Sequence, residues 1–517
     1  MVSNTEKIIL NADIFLARIL NWTLPLGVTD TIEIKLKGQY IIIKNYKVTG
    51  QFNCRGTINR PYIKFVNCDF DDVIFNLHRL STLSFEKCTF QSVLIEQVDL
   101  NELEFEECEI AQNLIIESKG ILSNIVLNET KGKGVLRITV EGSSQLFQMK
   151  GWCYFPNIHL TYVDLESLEL VGKEKRWVMS NNLEIYGTVK SITLSFTAFE
   201  DCFIHAVSDH IVIAFTEISR NLNFGEQLIQ AMYLLEVKGD GKVSYSNENL
   251  KLFSAQSCNF RHLSFGKDSF VQKFQVENSS VKDSTFEQLT FWGIAVKSIF
   301  VIDNCTVSKS LELNRADLGS AEIIWCKFQG STIFYSSNIR DAFLVRTDFP
   351  KIVRAPNGKI DFHDAQMFFG QLQYAYTKLG DSIRSTDYKA LELEAYYASL
   401  GNKKPFTKFS LFLNAFSNDF GRSWILGIVF TLGFGLQFFT FLLWSIPEYR
   451  DITSWDADLF GSFLHFINPL RQFNLKELFN ANLHFSRWSY VWDFLGRIFV
   501  AYGYYQTIQA FRRFGKQ

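Results

Sequence analysis

The sequence predicts a mainly β fold: a long β-solenoid wound in four-sided coils, then an α-helical hairpin, then two transmembrane helices. Three observations carry this reading. From Ala316 to Phe349 the chain falls into fives whose third residue is large and apolar: Leu318, Ile323, Phe328, Ile333, Ile339, Leu344 and Phe349. Two places earlier stands a small residue each time: Ala316, Ala321, Cys326, Ser331, Ser337, Ala342 and Thr347. Helices repeat at about 3.6 residues and strands at about 2, so a period of five asks for a coil with five residues on each side. The second observation is that Phe65-Val-Asn-Cys68, Phe85-Glu-Lys-Cys88 and Phe105-Glu-Glu-Cys108 recur at a spacing of twenty, which is four sides. The third is Trp424–Ile446, 23 residues without a charge, enough to span a hydrocarbon core of about 30 Å.

The elements follow in chain order. Thr5–Trp22 is amphipathic but irregular and reads as a short helix or first strand that caps the solenoid. Thr31–Val48 alternates as a lead-in sheet. From Phe65, steps of five reach Phe70, Phe75, Leu80, Phe85, Phe90, Ile95, Leu100, Phe105, Ile110 and Ile115, all large and apolar. The predicted core ladder is Phe65, Cys68, Phe85, Cys88, Phe105 and Cys108, with Cys326 and Phe328 near its end. Residues 120–300 keep only fragments of the pattern, such as Phe196-Thr-Ala-Phe199 and Cys305-Thr-Val307. They read as a continuous solenoid with loops at Lys131–Gly134, Gly172–Arg176 and Gly239–Gly241, or else as a separate β-sandwich or a different β-helix. Pro350 and Pro356-Asn-Gly358 mark a turn-rich linker. Asp364–Leu379 then places Phe368, Leu372, Tyr376 and Leu379 on one helical face, and Gly380 ends it. A second helix starts at Ser385, giving a hairpin that looks like a single tetratricopeptide-type unit and reads as a cap and connector.

The fives resemble those of the pentapeptide-repeat proteins, a resemblance that implies a right-handed quadrilateral β-helix. Solenoid, Tyr-rich hairpin and C-terminal spans together resemble a group of bacterial pentapeptide-repeat membrane proteins over 61–115 and 305–517. The expected division is 1–60 cap and lead-in strands, 61–349 solenoid (degenerate at 120–300), 360–402 hairpin and 403–517 membrane region, with spans at about 424–446 and 488–511.

The second span carries Asp493 and Arg497, four apart on one helix face and able to pair. Such groups in a membrane face protein or water, which makes them the candidate pore or subunit contact. Arg512, Arg513 and Lys516 form a basic tail suited to an anionic leaflet. Lys403, Lys404, Lys408 and Arg422 precede the first span, whereas the connector holds four basic and five acidic residues. The positive-inside rule then places both flanks in the cytoplasm. The nine cysteines include no CxxC pair and read as buried free thiols of a reducing compartment. The start of the chain has no signal-peptide pattern. These cues predict a multi-pass inner-membrane protein with solenoid and C-terminus cytoplasmic. Within the connector, 459–470 is apolar but short, as an interfacial or re-entrant helix would be.

A net charge of −2, from 52 basic and 54 acidic residues, gives no field for nucleic acid. No HExxH, P-loop, GxGxxG or GxSxG occurs, so no catalytic residue, metal or cofactor is expected. His205 and His210 read as solvated loop residues. The leading expectation is a non-enzymatic interaction scaffold or sensor bound to the bilayer and to a protein partner. The alternatives are an oligomeric effector or channel gated by the solenoid, and a carbohydrate-active enzyme on the solenoid surface.

Overall fold

The computed structural model describes residues 8–11, 32–33, 40–57, 62–78, 80–96, 99–173, 177–225, 228–245, 249–250, 252–266, 274–276, 279–296, 299–355, 357–401, 404–450, 456–472, 474–479 and 483–512. The cap expected at Thr5–Trp22 lies largely outside them, as do part of the Gly172–Arg176 loop and the tail residues Arg513 and Lys516. Two compact units result: Met1–Asn338 with Val345–Pro350, and Ile339–Leu344 with Lys351–Gln517.

The first unit is a parallel β-solenoid of about 13 turns. One column runs through it in unbroken register: Ile43, Phe65, Phe85, Phe105, Leu127, Met149, Leu170, Leu194, Ile213, Leu234, Ala255, Val281, Ile302 and Ile323. All are buried. The column therefore continues through the described residues of 120–300, where Asn249–Leu250, Phe274–Val276 and Ile294–Val296 pair in a separate three-stranded sheet. Coil length varies there from 19 residues, Leu194 to Ile213, to 26, Ala255 to Val281. In the first coils the column is aromatic. Phe85 stacks between Phe65 and Phe105 at 5.3 and 4.9 Å, and meets Phe90 edge-on at 5.3 Å. Such pairs add to the burial of their area.

One corner of each coil follows this column. The residue two places on is left-handed, as at Asn67, Lys87, Glu107, Phe196, Asn304 and Trp325. Its N–H is nevertheless paired to the next coil; Asn67 N donates to Glu86 O at 2.9 Å and Lys87 N to Glu106 O at 2.8 Å. The ladder holds a conformation that L-residues otherwise avoid. The next residue turns inward and is usually small and able to donate. Cys88 Sγ donates to Phe65 O and Glu86 O, Cys108 to Phe85 O and Glu106 O, and Cys326 to Ile302 O and Ile324 O. Thr130 and Thr347 do the same with hydroxyls. All nine cysteines are buried, and none forms a disulfide. Burial pushes the thiols of Cys54 and Cys153 up to about 12 and that of Cys258 to about 11. A disulfide reagent at pH 8 is therefore expected to titrate no native thiol until denaturant is added; prompt reaction of the folded protein would refute the corner assignment.

Several details depart from the fives. Ten of the eleven residues from Phe65 to Ile115 are buried, but Ile115 is not; Leu114 and Ile116 take the inward places. The coil has lengthened by one residue at 111–113: Ile110 pairs with Phe90 across 20 residues and Leu114 with Val93 across 21. Near the end Thr332 and Phe334 point inward instead of Ser331 and Ile333. Gly330 is the extra residue: its φ is +75°, and a Cβ there would collide with Lys309 O. Lys131–Gly132 is a strand rather than a loop, and a Cβ on Gly132 would strike the Phe155 ring. Gly239–Gly241 lies within the strand Lys238–Tyr245 as a register shift. His205 and His210 sit in the strand Thr197–Ala214, with His205 stacked on Tyr186 at 5.1 Å.

The second unit is helical. Helix α1 (Phe362–Lys378) is capped by Asp361, which accepts from His363 N and Asp364 N. Helix α2 (Ser382–Ser399) is capped by Asp381, and Gly380 between them has φ +77°. Tyr376 and Tyr388 stack at 5.3 Å across the hairpin. Helix α1 also holds Ile339–Leu344: Ile339 N donates to Gln371 Oε1 at 2.7 Å and Lys378 pairs Asp341 at 3.2 Å. Then follow α3 (Pro405–Asn418), α4 (Trp424–Trp444), α5 (Ala457–Phe466), α6 (Leu475–Phe479) and α7 (Arg487–Phe511). Among the described residues, α4 alone is long and apolar enough to cross a membrane by its own composition. Two spans are thus reduced to one such helix and a partner, α7.

Candidate functional site

Helices α4 and α7 run antiparallel. Trp424 stacks on Phe511 at 4.9 Å at one end. At the other, the Ser445 and Ser489 hydroxyls bond at 2.8 Å. Small residues let the backbones approach. A Cβ on Gly427 would strike Thr507, one on Gly503 would strike Thr431, and one on Gly496 would strike the Phe466 ring. Small residues at such crossings are what helix pairs use where apolar burial alone does not drive association. The apolar cluster is completed by the connector: Leu459, Phe463 and Phe466 of α5 and Leu475 and Leu478 of α6 pack with Phe439 and Leu442. Thus the apolar 459–470 segment is partly helix and buries one face against α4, while Phe460 and Leu464 stay exposed.

Three charged side chains meet just beyond the end of α5. Asp493, predicted to pair with Arg497, does so at 3.3 Å. Its shorter contact is with Arg471 of the connector, and both of these side chains are only 1% exposed. The Arg471 guanidinium lies over the Phe466 ring at 5.0 Å. Arg497 Nη1 donates to Arg471 O at 3.1 Å and Nη2 donates to Gln472 O. The cluster therefore ties the connector to α7 within one chain. Arg471 escapes sequence reasoning because it stands 22 residues away in an irregular stretch.

At the opposite end Arg422 pairs with Asp419 at 2.9 Å and with Glu394 of α2. Arg512, the described part of the predicted tail, is the C-cap of α7. Of the predicted core ladder, Phe65, Phe85 and Phe105 form the column, Cys68, Cys88, Cys108 and Cys326 line its corner, and Phe328 stacks on Phe349 at 5.1 Å. Among the described residues no group of three His, Cys, Asp or Glu is placed to hold a metal. Searches of family models, curated proteins and solved structures find no match to this chain.

Proposed function

We propose that the protein is a non-enzymatic, membrane-anchored scaffold or sensor whose solenoid, of pentapeptide-repeat type, presents a rigid surface to a protein partner. Helices α4 and α7 both cross the bilayer, with the solenoid on the cytoplasmic side of an inner membrane. The observation that carries this reading is the outer surface of the α4–α7 pair. Ile425, Ile428, Val429 and Leu432 of α4 and Phe494 and Ile498 of α7 are exposed and apolar. Of the polar residues of α7, Ser489, Asp493 and Gln506 are turned inward and buried and Arg497 is half-buried, while Arg487, Gln509, Tyr490, Tyr504 and Tyr505 are exposed. A helix too polar to qualify by composition thereby offers lipid an apolar face. Trp424 with Phe511 at one end and Trp444 with Trp488 at the other suit the two interfaces. Twenty-one residues of α4 span about 30 Å.

Asp493 finds its countercharges in its own chain, which supports an anchor over a pore that would use it between subunits. Exposed Trp152, Tyr186 and Tyr233 on the irregular coils supply the aromatic side chains that partner surfaces favour. The test is alkaline extraction of membranes. The full chain is expected to stay in the pellet, and a chain ending before Trp424 to become soluble with its β-sheet spectrum intact. Release of the full chain would overturn the proposal.

A further inference from the structure

Helix α3 has its polarity inside out. Phe406, Phe409, Phe412 and Phe416 share one face and are 89, 56, 47 and 55% exposed. At the C-terminal turn the residues turned to the protein are polar, while Leu411, Leu413 and Asn414 are half-buried and Ser410 is exposed. Ser417 and Asn418 are fully buried, and Asn418 Nδ2 donates to the Gln506 side chain and backbone carbonyl of α7. A soluble helix does the reverse. The C-terminal turn of α3 joins the helix pair, with Phe416 edge-on to Phe430 and Phe434 at 6.0 and 6.3 Å. Asn418 and Gln506 lie near the Trp424–Phe511 end of the pair, Phe434 is midway along α4, and the exposed apolar residues Ile425, Ile428, Val429 and Leu432 cover the same half of α4. At the other end of α3, Lys408 Nζ donates to Gly401 O at 2.9 Å, and exposed Lys404 precedes Pro405. The nearby acidic Asp419 and Glu394 are already taken up by Arg422.

We infer that α3 lies in the membrane surface at the Trp424 end of the pair, its phenylalanines among the acyl chains and Lys404 and Lys408 among anionic headgroups. Interfacial helices combine such an aromatic face with flanking lysines, and polybasic flanks favour anionic lipid. Continuity with the α4 surface and the charge of the lysines point to lipid as the occupant rather than a second copy. The inference rests on the anchor reading.

Because the native thiols are buried, single introduced cysteines can carry a nitroxide selectively. The full chain with Phe409→Cys, Phe412→Cys, Leu432→Cys or Lys404→Cys would be placed in nanodiscs of phosphatidylcholine with or without phosphatidylglycerol. Collision with oxygen is expected to exceed collision with a water-soluble nickel chelate several-fold at positions 409, 412 and 432. The order should reverse at 404, and phosphatidylglycerol should deepen 409 and 412. If 432 is in lipid but 409 and 412 meet the chelate freely, the inference fails while the anchor stands. If 432 also meets the chelate, the anchor itself fails. Protection of 409 and 412 from both reagents would mean a protein cover, a second copy included, and would equally overturn the inference.

Discussion

Replacing Asp493 by alanine is expected to destabilise the helical unit by about 3–5 kcal/mol, the cost of leaving a buried charge without its partner. The charge left behind is Arg471, which is as buried as Asp493 itself. Arg471→Met should cost a similar amount, since it strands the carboxylate, although Arg497 at 3.3 Å retains part of the pairing. The double change Asp493→Ala with Arg471→Met removes both charges and is expected to be milder than either single change. Thermal unfolding of the four proteins in one detergent completes the cycle. Two single variants within about 0.5 kcal/mol of the parent would show that the pair does not hold the connector in place. Arg497→Ala, which removes a donor to Arg471 O and Gln472 O, should be weaker, at about 1–2 kcal/mol.

The second large effect is expected in the solenoid. Phe85→Ala empties a fully buried site ringed by Phe65, Phe75, Phe90 and Phe105. A cost of about 3–5 kcal/mol follows from lost burial and the cavity left behind. Neighbouring coils cannot collapse into the gap, because the strand ladder fixes their spacing at about 4.8 Å. In a solenoid each coil contacts mainly its neighbours, so hydrogen exchange should accelerate most in the coils around Phe85 and least near Ile323. Uniform acceleration along the unit would contradict that picture.

The part of the ladder visible in the sequence is the part without insertions. From Phe65 to Ile110 the inward places return every five residues, and one extra residue at 111–113 or at Gly330 moves the frame. Over 120–300 the same column survives as Leu127, Met149, Leu170, Leu194 and Ile213. Coils of unequal length hide it from any fixed step. The left-handed corner has no residue signature, because Asn, Lys, Glu, Phe and Trp all occupy it with their side chains outward. The small donor that follows was legible as Cys68, Cys88 and Cys108, and for the same physical reason Thr130 and Thr347 belong with them. Of the charge cluster, Asp493 and Arg497 could be read from helix spacing, whereas Arg471 could not. Helix α3 had a readable signal in Pro405 at its start and phenylalanines at 406, 409, 412 and 416. Its inverted polarity emerges only once Asn418 is seen buried against Gln506.

The claim on which the account turns is that α4 and α7 are a transmembrane pair with both outer ends on one side. It is tested most directly by labelling single cysteines in sealed vesicles with a membrane-impermeant maleimide. The positions are Lys404→Cys and Arg512→Cys at the Trp424 end, and Asp458→Cys, whose native residue is exposed in the first turn of α5. The account predicts that 404 and 512 label from one side of the membrane and 458 only from the other. Labelling of all three from the same side would contradict it.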